Sequence, residues 1–194
     1  MTKKPMTNQP KTKQLKTKQE VTWAVARVFR RYGYEGATMS LFCKETGLGR
    51  SSLYHHFPQG KQEMASQALQ LVEDHFVNVI FPELEGDGRP DQRLSRFAAQ
   101  LHEYYEGGRM GCILGVFSLQ ATPSPVLAHV RSLFDRWIAA LASTYQDAKL
   151  PADLAVKRAA RAVAGVQGGL IMSAAMGDKD RLEDALAFMC NLAE

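Results

Sequence analysis

Apolar residues recur at three- and four-residue steps along most of this chain, the period of a helix packed on one side. Val21, Ala24, Val25, Val28 and Phe29 predict a first helix over about 16–32, and Gly33 sits where a left-handed residue would end it. Met64, Ala68, Leu71, Val72, His75 and Val79 predict another over 61–81, closed by Pro82 and the polar run at 85–90. Further helical segments follow at about 91–106, 110–119, 122–146, 151–176 and 179–193. Pro123 and Pro151 act as start signals, and Gly107, Gly108 and Gly177 as stops. No stretch alternates as a strand does. The expected fold is all-α, with about nine helices.

Between the first two long helices lies Thr38–Phe57, TMSLFCKETGLGRSSLYHHF, which reads as two short helices pinched at Gly47-Leu48-Gly49. Phe42 can face inward from the first, Leu48 sits in the turn, and Leu53 and Phe57 form the buried stripe of the second. The other face of that second helix carries Arg50, Ser51, Ser52, Tyr54 and His55, donors suited to phosphates and base edges. A small apolar seam behind a donor-rich helix is the requirement of a helix-turn-helix. Arg50, Ser51 and Ser52, near the helix start, are the candidates for base or phosphate contact. Thr38 is placed to cap the preceding helix.

Charge sharpens this picture. Residues 1–65 carry twelve Lys or Arg against four Asp or Glu, whereas residues 66–194 carry twelve against sixteen. A basic N-terminal third on a mildly acidic body points to a polyanion at one end of the molecule. Residues 1–15, Lys-rich and nearly without apolar side chains, read as a basic arm. The three cysteines, Cys43, Cys112 and Cys190, are scattered and lack metal-ligand spacing, which fits free thiols in a reducing cytoplasm. No secretory leader and no membrane span are expected, since the most apolar stretch, 159–176, holds Arg161, Gln167 and Ser173. Neither metal nor cofactor is expected, and the catalytic motifs of zinc hydrolases, serine hydrolases, nucleotide and dinucleotide enzymes are absent.

Several spaced residues together carry a family resemblance. Trp23, Ala26, Phe29, Gly33-Tyr34, Thr38, Gly47-Leu48-Gly49, Leu53–Phe57 and Lys61 resemble the N-terminal domain of TetR-type transcriptional regulators over about residues 17–70. The extra residue in Phe57-Pro58-Gln59-Gly60-Lys61, and the Gly111-Cys112 start of a later helix, resemble the branch that includes LmrA- and YxaF-like repressors. The resemblance implies phosphate contacts for Thr38 and Lys61 and backbone contacts for Tyr54 and His55. It further implies a homodimer that represses at a palindromic double-stranded DNA operator and is released by a small hydrophobic or aromatic effector. Two residues depart from the pattern. Cys43 stands where the family has Ala, and Gly49 where a Ser or Thr would cap the second helix and touch DNA.

The implied division is an arm at 1–15, a helix-turn-helix domain at 16–60, a connecting helix at 61–81 and an effector-binding and dimerisation domain at 90–194. In that last domain His102, Tyr105, Cys112, Phe117, Phe134, Trp137 and Met172 are candidates to line an apolar cavity with a few polar handles. Ala162, Gly165 and Gly169 keep one late helix slim, and Leu182, Leu186 and Met189 make a stripe on the last. Together they suggest a four-helix interface between two copies. A competing reading is a helical ligand-binding or adaptor protein whose helix-turn-helix no longer reads DNA.

Overall fold

A computed structural model describes residues 17–192, so the expected arm at 1–15 lies outside the described residues. Those described fold into α-helices and one π turn, with no strand among them. α1 (Lys18–Gly36) begins on a reciprocal cap. The Glu20 N–H donates to Thr17 Oγ1 at 3.2 Å, and the Thr17 N–H donates to the Glu20 carboxylate at 2.7 Å. Its regular part ends where expected, at Gly33 (φ 70°, ψ −178°), and one further turn runs on to Gly36. α2 (Met39–Thr46) is capped by Thr38, whose hydroxyl accepts from the Leu41 N–H at 3.4 Å, and is closed by left-handed Gly47. α3 (Arg50–His56) starts at Gly49 with no side-chain cap.

These three helices close around Phe29. Its ring meets Phe42 of α2 and Phe117 of α7 (Ile113–Ser118), each at 5.1 Å and edge-on. The helix-turn-helix therefore does not own a separate core, because α7 belongs to the C-terminal body and completes it. α4 (Lys61–His75) runs into a π turn at Phe76–Ile80, where the Phe81 N–H donates back to Phe76 O at 2.7 Å. The widened turn brings Phe76, Ile80 and Phe81 to the buried side together. A short α5 (Pro82–Glu85) follows, in the segment expected to close that helix.

α6 (Pro90–Tyr104), α8 (Ser124–Asp147), α9 (Ala152–Met176) and α10 (Asp180–Cys190) make the rest of the body. Glu73 of α4 ties it to α8, taking His129 Nε2 at 2.8 Å and also Arg136. The Tyr145 hydroxyl donates to Met189 O at 2.7 Å and fixes α10 on α8. At Gly169 a Cβ would lie 2.7 Å from the main-chain oxygen of Arg181, so α9 and α10 cross with room for glycine alone.

That crossing corrects part of the expected dimer face. Leu182, Leu186, Met189, Ala162 and Gly169 are all buried within the protomer, because α10 folds back on α6 and α9. Of the six residues, Gly165 alone faces open space. The outward side of α9 carries Leu154, Ala164, Gly168, Met172 and Met176, with Phe188 of α10 beside it. Met172 and Met176 are 46% and 63% exposed, and Phe188 is 40% exposed.

Candidate nucleic-acid interface

α3 is short, and its two sides differ sharply. Leu53 is fully buried and Phe57, just beyond the helix, is too, whereas Arg50, Ser51, Ser52, Tyr54 and His55 are exposed. Thr38, at the start of α2, is exposed as well. These candidate donors are thus all accessible, on α3 and at the start of α2, while Leu53 and Phe42 are buried. Lys61 is half-buried. Its ammonium donates to Glu35 O at 3.1 Å and stands over the Tyr34 ring at 4.8 Å, and burial lowers its pKa. It is tied to the α1–α2 connection rather than extended from the surface. His55 and His56 do not converge on a common point, their rings lying 6.1 Å apart.

A cavity of about 1070 Å³ opens between α1 and α2 on one side and the body on the other. α1 contributes Val28 and Arg30, α2 contributes Leu41 and Lys44, and the other walls come from Cys112, Val116, Phe134, Leu170 and Ile171. Of the seven candidates for a ligand site, Cys112 and Phe134 line it. Tyr105 lies just behind, fully buried, its hydroxyl donating to Cys112 Sγ at 3.3 Å. That burial pushes its pKa well above the ordinary tyrosine value. The other four sit elsewhere. Phe117 is spent on the Phe29 cluster, and Trp137 packs on Phe76 at 5.4 Å. His102 faces Glu183 at 3.7 Å in a separate shallow cleft, and Met172 looks outward from α9. Aromatic residues at helical spacing went into the core because burial of their large area outweighs any tendency to stay open for a ligand.

Sequence reasoning missed the basic part of the wall. Arg30 is 9% exposed and lies over the Tyr104 ring at 4.4 Å. Desolvation lowers its pKa, opposed by Tyr105, Cys112 and Glu106. In a basic domain one more arginine reads as solvated surface. The available signal was its place four residues after Ala26, on a second buried face of α1.

The body also grips the α1–α2 connection directly. Gln120, just after α7, accepts from the Glu35 N–H at 3.1 Å. A Cβ on Gly33 would sit 2.0 Å from the Gln120 amide nitrogen, so this contact needs glycine for space as well as for its positive φ.

Among the described residues no helix is long and apolar enough to cross a membrane, and no group of three or more His, Cys, Asp or Glu is placed to hold a metal. Residues 24–68 match the family described as bacterial regulatory proteins, tetR family. Residues 90–187 match the family described as transcriptional regulator LmrA/YxaF-like, C-terminal domain. The HTH-type transcriptional regulator LmrA of Bacillus subtilis is 27% identical over 160 residues, covering 77% of this chain and 82% of LmrA. A TetR transcriptional regulator from Legionella pneumophila superimposes with a TM-score of 0.82 at 16% identity, over 92% of this chain and 97% of that one. The regulator CifR, solved as a cysteine mutant with 26-bp double-strand operator DNA, superimposes with a TM-score of 0.74 at 17% identity, over 94% and 98%. The match to the LmrA/YxaF-like C-terminal domain alone spans just over half of the chain, and the tetR match covers the helix-turn-helix. The protein belongs to the TetR family of transcriptional regulators, DNA-binding proteins rather than enzymes, in its LmrA/YxaF-like branch.

Proposed function

We propose that this regulator represses transcription from a palindromic operator as a homodimer in the cytoplasm, and that a small molecule in the cavity releases it. The observation that carries the reading is α3, which buries Leu53 and exposes Arg50, Ser51, Ser52, Tyr54 and His55 side by side. Arg50, Ser51 and Ser52 read base edges or take phosphates, and Thr38, Tyr54 and His55 hold the backbone. Lys61 acts by pinning the α1–α2 connection and reaches a phosphate after leaving Glu35 O. CifR, a protein of the same fold, has been seen on operator DNA.

The helix-turn-helix domain is 16–60, the connecting helix 61–81 and the effector and dimer domain 90–194. Two copies pair through the outward faces of α9 and α10, where Ala164, Gly165, Gly168 and Met172 leave room for close approach. The pair sets the two α3 helices about 34–36 Å apart, one turn of DNA. An effector between α1, α2 and α7 shifts the helix-turn-helix through Gln120 and the Gly33 break. A coupling of about 1–3 kcal/mol between the two sites suffices for such a switch.

The test is footprinting on the DNA upstream of the protein's own gene over a salt series, with Arg50→Ala and Tyr54→Phe as variants. A protected palindrome whose affinity falls steeply with salt is expected. Arg50→Ala should lower that affinity by about 1–3 kcal/mol while the dimer stays intact. Unchanged DNA affinity in both variants would overturn the assignment and favour a helical module that no longer reads DNA.

A further inference from the structure

We propose that the cavity between α1, α2, α7 and α9 is built for an organic acid. Its anionic group pairs with Arg30 while its apolar ring body lies against Val28, Val116, Phe134 and Ile171. The inference rests on the reading of this cavity as the effector site, and it specifies the effector's charge.

Arg30 forms part of the cavity wall, and its Nε and Nη2 are buried without a hydrogen-bond partner. A guanidinium in that state is costly, since two of its three nitrogens have lost water and gained no acceptor. Stacking on Tyr104 at 4.4 Å compensates the face of the group but leaves its donor fork unmatched. No carboxylate of the wall supplies the match. Glu45 is taken by Arg27 at 2.8 Å, and Glu106 is half-exposed and faces Arg109 at 4.0 Å. The Gln167 side chain, also of the wall, is engaged with the Tyr105 hydroxyl and offers Arg30 no charge. A carboxylate or sulfonate accepts two parallel bonds from such a fork, which a neutral ligand does not.

The charge of the whole lining agrees. Arg27, Arg30, Arg31, Lys44 and Arg109 face the space against Glu45 and Glu106 alone. A cleft with that excess concentrates anions before they bind. Arg30 also lies three residues before Gly33, and Arg27, one turn earlier, is the residue that bonds Glu45 of α2. An acid on Arg30 therefore acts on α1 and α2 themselves, without needing the connecting helix as a lever.

The experiment uses two dyes that share a ring system, 1-anilinonaphthalene-8-sulfonate and the neutral N-phenyl-1-naphthylamine. Each is titrated by fluorescence into the full-length protein and into Arg30→Met, Arg30→Lys and Arg109→Gln. The wild type should bind one sulfonate dye per chain about tenfold or more tighter than the neutral dye. Arg30→Met should abolish that preference and leave the neutral dye's affinity within about threefold. Arg30→Lys should keep part of the preference, and Arg109→Gln, at the mouth, most of it. Thermal melts check folding. Should Arg30→Met not fold, Arg30→Lys against Arg109→Gln decides, because loss of bidentate geometry must cost more than loss of a rim charge.

Equal binding of the two dyes by the wild type, binding of neither, or a preference that survives Arg30→Met would each overturn the proposal. The operator footprint contains no dye, so failure of the regulator reading is seen separately.

Discussion

The outer faces of α3 and α9 are both exposed, yet they present opposite chemistry. α3 offers Arg50, Ser51, Ser52, Tyr54 and His55, groups that water satisfies and that phosphates satisfy better. α9 offers Leu154, Gly165, Gly168, Met172 and Met176, groups that water leaves unsatisfied. An exposed donor face is stable alone and waits for a polyanion. Exposed Arg161 interrupts this side, yet its apolar members, with exposed Phe188 of α10, suit cover by another surface of the same kind. Under the proposed function the two faces divide the work: α9 would fix how far apart two copies hold their α3 helices, and α3 would read what lies beneath.

The largest effect that would break this division comes from Met172→Glu. Placing a charge in the outward stripe should leave each protomer folded and dissociate the pair, seen by sedimentation, and lower operator affinity by about 100-fold or more. A dimer that survives with unchanged affinity would move the interface elsewhere.

Glycine substitutions sharpen the comparison within α9. Gly169→Ala places a methyl 2.7 Å from the Arg181 oxygen and should cost about 1–3 kcal/mol in urea unfolding. Gly165→Ala meets nothing within 4 Å in the protomer. It should raise protomer stability by about 0.5–1 kcal/mol, through helix propensity, while weakening the dimer. If both variants behave alike, the two sides of α9 are not distinct.

The smallest expected effect probes the joint between the regions. His75 stacks on Tyr104 at 5.2 Å, and burial, then the nearby Arg30 cation, hold its pKa below 6.5. The unfolded chain takes up that proton first. Its contribution to stability is thus full above about pH 6.5 and lost as pH falls through the lowered folded value. His75→Gln should flatten the urea midpoint between about pH 7 and about pH 5. A slope unchanged by the substitution would place the pH dependence on other groups.

The helix-turn-helix was legible because its helices, turn and buried stripe are specified locally, even though α7 completes its core. Phe42, Leu53 and Phe57 fall at helical spacing, Gly47 closes one helix, Gly49 opens the next, and Thr38 caps at short range. The cavity was far less legible. Of the candidates, Cys112 and Phe134 border it, whereas Phe117 and Trp137 went to the core, and Arg30 passed as surface. Whether an aromatic lines a space or fills it depends on which helix lies opposite, and residue spacing within one helix carries no record of that. The same limit explains α10, where the stripe at Leu182, Leu186 and Met189 fits a partner in either chain. Its own α9 lies nearer, opened by Gly169, and took it.

The sequence by itself determined the all-helical fold, most helix limits, the donor face of α3 and the family. These follow from periodicity, caps and breakers acting over a few residues. Tertiary structure alone decided that α7 completes the core of the helix-turn-helix, that α9 turns Met172 outward and Gly169 inward, and that Arg30 ends in a cavity wall with Nε and Nη2 lacking a hydrogen-bond partner. Each of those depends on contacts between residues far apart in the chain, where the energy comes from packing two surfaces and neither surface specifies the other.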